Sequence, residues 1–573
     1  MMKQTLLITP CFQSHSSSPK GLTPANRGFL QIIIQNRDYS SFYIIDTETK
    51  EKISDNTITI DPIHNKMFSN DLFYFHENKI VIESSLVKQK EIPGILILEN
   101  NKTYGRTNNK KRLLYKFIPN NKQLPAFLVP YEIQLGFNKV FKNKYATIRY
   151  DSWIGQHPQG LLLQTLGNID ELPIFYEYQL YCRELHHSMS RFINEAKKNV
   201  CDIRNSELFL EKNIMEDRRK THHVFSIDPI GSTDLDDAFS IRKIDEEYEI
   251  SIYIANVFIW MEFYKMWDSF SERVATIYLP DKRRPLLPTI FSENLCSLLQ
   301  GKDRFAFTMT ILIDSQGIKE SRFSQTIIHV NKNYHYDEMD SVNDKHYNTL
   351  YEITRRLSPD IKNSHELVAF WMIQMNSVSA NILKKGIFRS SAAIKGLNPL
   401  WQQYTGNYIL VDENNEKINI AHESLGLENY LHITSPIRRL VDIMNQTLLI
   451  KQLGIYISPE ADAFIETRLK KIGLLNLQMK AITKVQCDCE LVYKCFTNPE
   501  IVKNNYKGII CEKNKDLDND YFHYLIYLED ISLMTRMKCK ENLEEGTTHL
   551  FNIFLFEDED KIQKKIRLQM VKK

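Results

Sequence analysis

Residues 224–240 read VFSIDPIGSTDLDDAFS. An apolar run ends on Asp228, Pro229 and Gly231 turn the chain, and Asp234, Asp236 and Asp237 crowd onto the return. The pattern predicts two strands joined by a carboxylate-bearing loop. No Lys or Arg stands between Phe225 and Ser240. Two like charges ~4 Å apart repel by roughly 4 kcal/mol at an effective dielectric of ~20, so a converging cluster of this kind needs cations. Magnesium and calcium take carboxylate oxygens, and paired magnesium ions are a recurrent device for cleaving phosphodiesters. Taken alone, an acidic DLDD run reads more often as a solvated turn. The D-x-D-x-D-G spacing of an EF-hand loop is absent.

Outward from this loop the chain changes character twice. Residues 27 to 185 hold short β-rich runs (FLQIIIQ, SFYIID, KIVIE, ILILEN) separated by Asn, Asp, Gly and Lys, which predicts small antiparallel barrels. Residues 200 to 340 mix strands and loops, and 365–386, 435–453 and 460–496 carry apolar residues at helical spacing. After Asn498-Pro499 strands return in YKGIIC, FHYLIYLED and LFNIFLF. The expected fold class is therefore multidomain α+β. Its expected parts are 1–95 and 96–195 (two small barrels), 196–498 (a central domain) and 499–573 (a last barrel).

A chain of 573 residues is too long for one core. Lys and Arg number 73 against 71 Asp and Glu, so no chain-wide basic field announces nucleic acid, and any such affinity rests on local patches. The nine cysteines form no CxxC pair, which fits a reduced, cytoplasmic setting. No apolar run nears the ~18 residues of a membrane span, so no membrane association is expected. Met1–Ser18 resembles a targeting peptide only faintly, being poor in Arg.

The aspartate segment is similar to the signature of the RNB catalytic domain of the RNase II and RNase R exoribonucleases. It is followed in order by ISIYIANV, IYLPDKRRPLLP, SENLCSLLQGKDRFAFT and LHITSPIRRLVDI, each matching a block of that family. The resemblance implies N-terminal cold-shock-type OB barrels, a catalytic domain and a diverged C-terminal S1-like OB barrel. It implies a magnesium-dependent 3′-to-5′ exoribonuclease, a monomer that degrades single-stranded RNA to nucleoside 5′-monophosphates. Two magnesium ions are expected, with manganese as a substitute. Asp228, Asp234 and Asp237 would be metal ligands, and Asp236 and Arg438 catalytic. Tyr278 and Tyr336 would touch the 3′-terminal nucleotides, and Arg439 would be an RNA-binding or solvent-facing charge.

Each residue has a plainer reading. In ITSPIRRLVD, Ser435 can cap a helix with Pro436 in its first turn, Arg438 then facing a phosphate or pairing with Asp442 at i, i+4. The tyrosines are two of 28, and either can be core. Lys102 to Lys116, with six Lys or Arg, can be a strand-binding rim or a solvated loop. The chain also departs from the family. Asn256 stands where the family carries Asp, and Ala369 and Phe370 stand where two glutamates are expected, the first of which helps recognise the ribose. Regions 337–365 and 390–421 are shorter than in the family. These departures leave open two other readings: a non-catalytic RNA-binding relative, or an exonuclease with relaxed choice between RNA and DNA.

Overall fold

The computed structural model describes residues 28–53, 60–77, 79–107, 112–132, 141–200, 215–338, 343–392, 406–412, 420–515, 520–558 and 563–571. The N-terminal segment to Ser18 and part of the basic run 102–116 lie outside these residues. The chain divides into two compact units, Met1–Ile169 and Asp170–Lys573.

In the first unit, β1 (Leu30–Ile34), β2 (Phe42–Asp46), β3 (Leu72–His76) and β4 (Lys79–Ser84) form an antiparallel sheet in the order β2-β1-β3-β4. A short helix α1 (Leu86–Gln89) leads to a closed five-stranded barrel of β5 (Glu91–Leu96), β6 (Leu113–Pro119), β7 (Phe127–Tyr131), β8 (Lys144–Ser152) and β9 (Gln159–Asn168). The β-branched and aromatic side chains of both halves meet in one core, which joins Ile32 and Phe73 to Phe127, Ile148 and Trp153. Phe68 stacks on Phe127 with ring centroids 5.9 Å apart. The expected boundary at 95/96 thus falls inside β5, and the two halves share their apolar interior.

The second unit begins with α2 (Leu172–Cys182) and α3 (Ser190–Asn199), so the expected boundary at 195/196 falls inside a helix. Its centre is a sheet of β10 (Glu216–Asp217), β11 (Val224–Asp228), β12 (Asp237–Ile244), β13 (Glu247–Ala255), β16 (Asp303–Ile313) and β17 (Ile318–His335). Between β13 and β16 come helix α4 (Val257–Phe263) and the two-stranded β14 (Ile277–Tyr278) and β15 (Arg283–Arg284). The 18-residue β17 pairs with β11 on one side and β16 on the other, closing the ring β11-β12-β13-β16-β17. Its interior needs continuous apolar runs, and Glu249 to Ala255 of β13 is buried throughout.

Around this ring lie α5 (Lys345–Leu357), α6 (Ser364–Ile382), the pair β18 (Gly386–Ser390) and β19 (Asn407–Val411), α7 (Leu440–Gln452), α8 (Pro459–Leu469) and the 26-residue α9 (Ile472–Thr497). The chain ends in an antiparallel sheet of β20 (Asn505–Lys515), β21 (Phe522–Leu528), β22 (Leu533–Cys539), β23 (Thr548–Asp558) and β24 (Gln563–Met570), ordered β22-β21-β20-β23-β24. Leu491 and Cys495 of α9 share its core with Tyr524, Ile526 and Phe551. Among the described residues, no helix is long and apolar enough to cross a membrane.

Candidate active site

The aspartate loop is fixed at both ends. Asp228 closes β11 opposite His335 of β17, and Asp237 opens β12 opposite Ile254. Between them Gly231 takes φ +81°, a left-handed turn that a side chain would strain. Ser297, from the LCSLL block, receives the Leu235 N–H (3.0 Å) and donates to the Thr233 carbonyl (2.9 Å), and Leu298 N–H donates to the Leu235 carbonyl at 3.0 Å. LCSLL therefore holds the loop. Cys296 beside it is buried and burial raises its thiol pKa, which leaves no thiolate nucleophile there.

The loop lacks cations of its own, but the fold delivers two. Arg283 of β15 bonds Asp234 (Nη1 to Oδ1, 2.5 Å), and its other nitrogen meets Glu293 at 2.5 Å. Arg438 reaches Asp236, with Nε 3.2 Å from Oδ2, while the Ile437 N–H donates to Oδ1 at 2.8 Å. Both oxygens of the buried Asp236 are thus engaged. Among the described residues Asp228 and Asp237 are in no ion pair with an arginine or lysine, although the charge of Arg438 acts on both from a distance. Asp228 accepts a hydroxyl from Ser226 (2.7 Å), and Oδ2 of Asp237 is buried without a hydrogen-bond partner.

Burial raises the carboxyl of Asp228 to about 6 and that of Asp236 to about 7, Arg438 opposing the second. Asp237 lies well above the carboxylate range, through burial and the repulsion of Asp228 and Asp236. The charges of all four aspartates are felt within this one group. Among the described residues no three His, Cys, Asp or Glu side chains converge closely enough to hold a metal ion as they stand. The donor chemistry still fits a cation, because the two half-buried carboxylates of Asp228 and Asp237 repel and the buried Oδ2 of Asp237 is unpartnered.

The turn bearing Arg438 differs from the expectation. Helix α7 starts at Leu440 with Arg439 as its N-cap, so Ser435 does not cap it and Pro436 to Arg438 form a separate turn. Asp442, fully buried in the first turn of α7, accepts the Ser435 N–H at 2.7 Å. It also binds Arg439, whose Nε and Nη2 lie 2.8 Å from its oxygens. Arg439, expected at RNA or solvent, is instead turned inward as the partner of Asp442. Arg438 does not pair with Asp442. Its side chain is 46% exposed, Nη2 donates to Ser435 Oγ (2.9 Å), and among the described residues Nη1 has no partner.

Tyr278 and Tyr336 flank the aspartates. The Tyr278 hydroxyl lies 3.3 Å from Asp234 Oδ2, its ring is exposed, and its N–H is held by Gln486 of α9 at 2.9 Å. Tyr336 stacks on His365, with centroids 3.7 Å apart and planes 11° from parallel. Burial, then Asp237 and Asp228, raises its hydroxyl pKa, so it faces those two carboxylates.

Comparison with known proteins adds a decisive observation at this point. The RNB domain profile matches residues 216–369 and 353–454, the stretch that contains both the aspartate loop and the Arg438 turn.

The chain carries an RNB domain.

Relatives include the DIS3-like exonuclease 2 of Schizosaccharomyces pombe, 28% identical over 243 residues, 38% of this chain and 26% of that protein. Ribonuclease R of Ureaplasma parvum is 35% identical over 123 residues, 21% of this chain and 17% of that protein. The matched stretches thus span about a quarter or less of these relatives. The solved structure of apo RNase R from Mycoplasma genitalium is similar in fold, with TM-score 0.66 at 15% identity, covering 94% of this chain and all of that one. Yeast Ssd1, a pseudonuclease, is also similar in fold, with TM-score 0.55 at 13% identity over 92% of this chain and 80% of that one.

Within the RNB domain the departures from the family now have places. Asn256 is wholly buried as the N-cap of α4, its Oδ1 accepting the Ile259 N–H (3.2 Å) and its amide donating to Gln325 (3.2 Å). Its role is to cap α4 and tie the start of that helix to β17. Ala369 is half-buried on α6. Glu366, one turn earlier, accepts the Lys362 N–H at 2.7 Å while Asn363 accepts the Glu366 N–H at 2.9 Å, a reciprocal helix cap. Reading the sequence did not assign roles to Arg283 or Ser297, and it offered Asp442 to Arg438 where the structure gives it to Arg439. The block IYLPDKRRPLLP carried a usable signal for Arg283, an arginine in a matched motif.

Proposed function

We propose that this chain is a divalent-metal-dependent 3′-to-5′ exoribonuclease that hydrolyses single-stranded RNA to nucleoside 5′-monophosphates. The observation that carries the reading is the uneven neutralisation of the aspartate loop. Arginines form ion pairs with Asp234 and Asp236, and among the described residues the half-buried Asp228 and Asp237 are in no ion pair, with Arg438 opposing their raised pKa only from a distance. Asp228 and Asp237, with Asp234 when Arg283 yields it, would hold magnesium. Bound there, magnesium supplies Lewis-acid activation of water and of the phosphodiester.

The protein's own groups do the rest. Asp236 fixes Arg438 by Nε and the turn by the Ile437 N–H, which leaves the exposed edge of the guanidinium to meet the charge developing on the phosphoryl oxygens. Tyr336, backed by His365, offers a ring for a terminal base, and stacking of this kind contributes ~1–3 kcal/mol per base without regard to sequence. The closed barrel at 91–168 and the C-terminal sheet would act as OB-type modules that bind the strand. Purified protein incubated with single-stranded RNA in magnesium, and again in chelator, tests the reading: hydrolysis only with metal is expected, and intact RNA in both would refute it.

A second reading is favoured by Ala369, which lacks the ribose-sensing glutamate: a non-catalytic RNA-binding relative, or an exonuclease that also accepts DNA. A matched DNA substrate in the same assay separates these.

A further inference from the structure

The aspartates have a neighbour of different chemistry. In the central sheet β11 lies between β17 and β12, and at one end of these strands each carries a side chain able to bind a metal ion. Asp228 closes β11, His335 closes β17 as its registered partner, and Asp237 opens the antiparallel β12. A carboxylate thus stands on the middle strand, with an imidazole on one side and a second carboxylate on the other. The same register pairs Ser226 with Asn333, and those side chains meet, Asn333 Nδ2 donating to Ser226 Oγ at 2.8 Å. Asp228 and His335, two residues further along their strands, lie on that same face. Ser226 in turn donates to Asp228 at 2.7 Å.

The end of β17 is held in place here. Asn333 also donates to the Leu298 carbonyl (3.0 Å) and accepts the Gln300 N–H (2.6 Å), so the segment that braces the aspartate loop also braces the strand that carries His335. Burial raises the Asp228 carboxyl, and the Ser226 hydroxyl and then the His335 charge act against it, which sets the ring close to that carboxylate. Among the described residues Nδ1 of His335 is buried without a hydrogen-bond partner, as is Oδ2 of Asp237. A polar atom buried in this way costs free energy. The two orphaned atoms, a nitrogen and an oxygen, belong to the residues on either side of Asp228, and one cation would satisfy both.

As they stand the donors do not meet. Neighbouring strands lie ~4.8 Å apart, so His335 and Asp237 need only lean toward the middle strand to reach one ion. Carboxylates alone suit magnesium, calcium and manganese, whereas an imidazole favours transition ions. A mixed set therefore moves the preference from magnesium toward manganese, the transition ion of the first group. We infer that His335 supplies a nitrogen ligand to the divalent cation held by Asp228 and Asp237, and that this nitrogen makes the site choose manganese over magnesium. The inference rests on the metal-dependent reading above. Magnesium is still held by the carboxylates, and His335 sets the margin by which manganese exceeds it.

The test uses the untagged full chain, freed of metal, with manganese as the probe in a nitrogen-free buffer. Electron spin echo spectroscopy of the bound manganese reads the modulation from a ligating nitrogen, and growth on histidine enriched in the heavy nitrogen isotope identifies it as imidazole. The unmodified chain should show that modulation. His335→Ala and His335→Gln should both lose it, the second keeping a polar side chain at the site should the first fail to fold. In each variant the manganese-over-magnesium affinity ratio, titrated with the two metals in competition, should fall by at least about tenfold, the scale for losing even a group that supports a ligand. Bound manganese without nitrogen modulation in the unmodified chain, modulation that survives in either variant, or an unchanged affinity ratio would overturn the inference and leave the exonuclease reading standing. If the unmodified chain binds no manganese, or Asp237→Asn binds it equally well, the aspartates hold no metal and the inference falls with the reading on which it rests.

Discussion

Asp236 and Arg438 stand 202 positions apart in the chain, yet Oδ2 of one lies 3.2 Å from Nε of the other. The same carboxylate takes the Ile437 N–H on Oδ1, so it fixes both the arginine and the backbone that carries it. Asp236 therefore acts by positioning Arg438 as well as by its charge.

Asp236→Asn should abolish turnover and leave RNA affinity nearly unchanged. An amide offers one acceptor where two donors point, so one of the two contacts becomes donor against donor. The expected fall in kcat is more than roughly a hundredfold, the scale for losing a preorganised charge contact. Single-turnover kinetics with parallel RNA-binding measurements check this, and a wild-type rate would show that the reactive centre lies elsewhere.

If Asp234 is a metal ligand as proposed, Arg283, which bonds it at 2.5 Å, would compete with the metal for it. In Arg283→Gln, magnesium should half-saturate activity at a lower concentration. The apo protein should lose about 1.5–3 kcal/mol, the usual worth of a hydrogen bond to a charged group. Thermal unfolding with and without magnesium reads both effects. An unchanged or raised magnesium requirement would mean that Asp234 takes no part in metal binding.

Ala369 stands where the resemblance to the family implies a carboxylate at the ribose. A hydrogen bond to the 2′-hydroxyl separates RNA from DNA at one site, and a neutral one is worth ~0.5–1.5 kcal/mol. Ala369→Glu should raise the RNA-over-DNA rate ratio on matched oligonucleotides. Glu366→Ala should instead destabilise α6 by about 1 kcal/mol without altering that ratio, because the Glu366 carboxylate is engaged in a helix cap. A ratio that falls in Glu366→Ala would show that it has left the cap for the substrate.

Much of this site was readable beforehand. The apolar run into Asp228, the Pro229 and Gly231 turn and the return at Asp237 became β11, a left-handed glycine and β12, because alternation and turn chemistry are local. The helices beginning near 365 and 460 were equally plain. What the sequence hid was long-range. That Arg283 answers Asp234 across the fold depends on tertiary packing that spacing cannot report, whereas the Arg439–Asp442 pair is local, at i, i+3, and turns on where α7 begins. The N-cap of α7 was misplaced for a related reason. Ser435 is a good local cap, but its N–H is claimed by Asp442 seven residues on, and the helix starts later.

One pH dependence follows from the far end of the central sheet. Glu249 on β13 is buried, which raises its pKa, but His222 (3.1 Å) and Arg242 (2.6 Å) outweigh burial and hold it down to about 2. A folded-state pKa below the unfolded one gives stability that is present above the unfolded value and lost as pH falls through the folded one. Between 4.5 and about 2 this amounts to at most about 3 kcal/mol. Glu249→Gln should therefore be less stable than wild type at neutral pH, and the gap should close as pH falls from 4.5 to 2. Denaturant unfolding at several pH values measures it, and a gap that persists undiminished at pH 2 would disprove the assignment.

The central claim is removal of nucleotides from the 3′ end by a metal held at Asp228 and Asp237. The most direct measurement follows one RNA labelled at its 3′ end and, separately, at its 5′ end, with magnesium, with chelator and in Asp237→Asn. The account predicts that in magnesium the 3′ label appears at once as mononucleotide 5′-phosphate while the 5′ label shortens stepwise, and that both reactions stop in chelator and in Asp237→Asn. Release of the 5′ label first, internal cuts, or equal rates in chelator or in Asp237→Asn would contradict it.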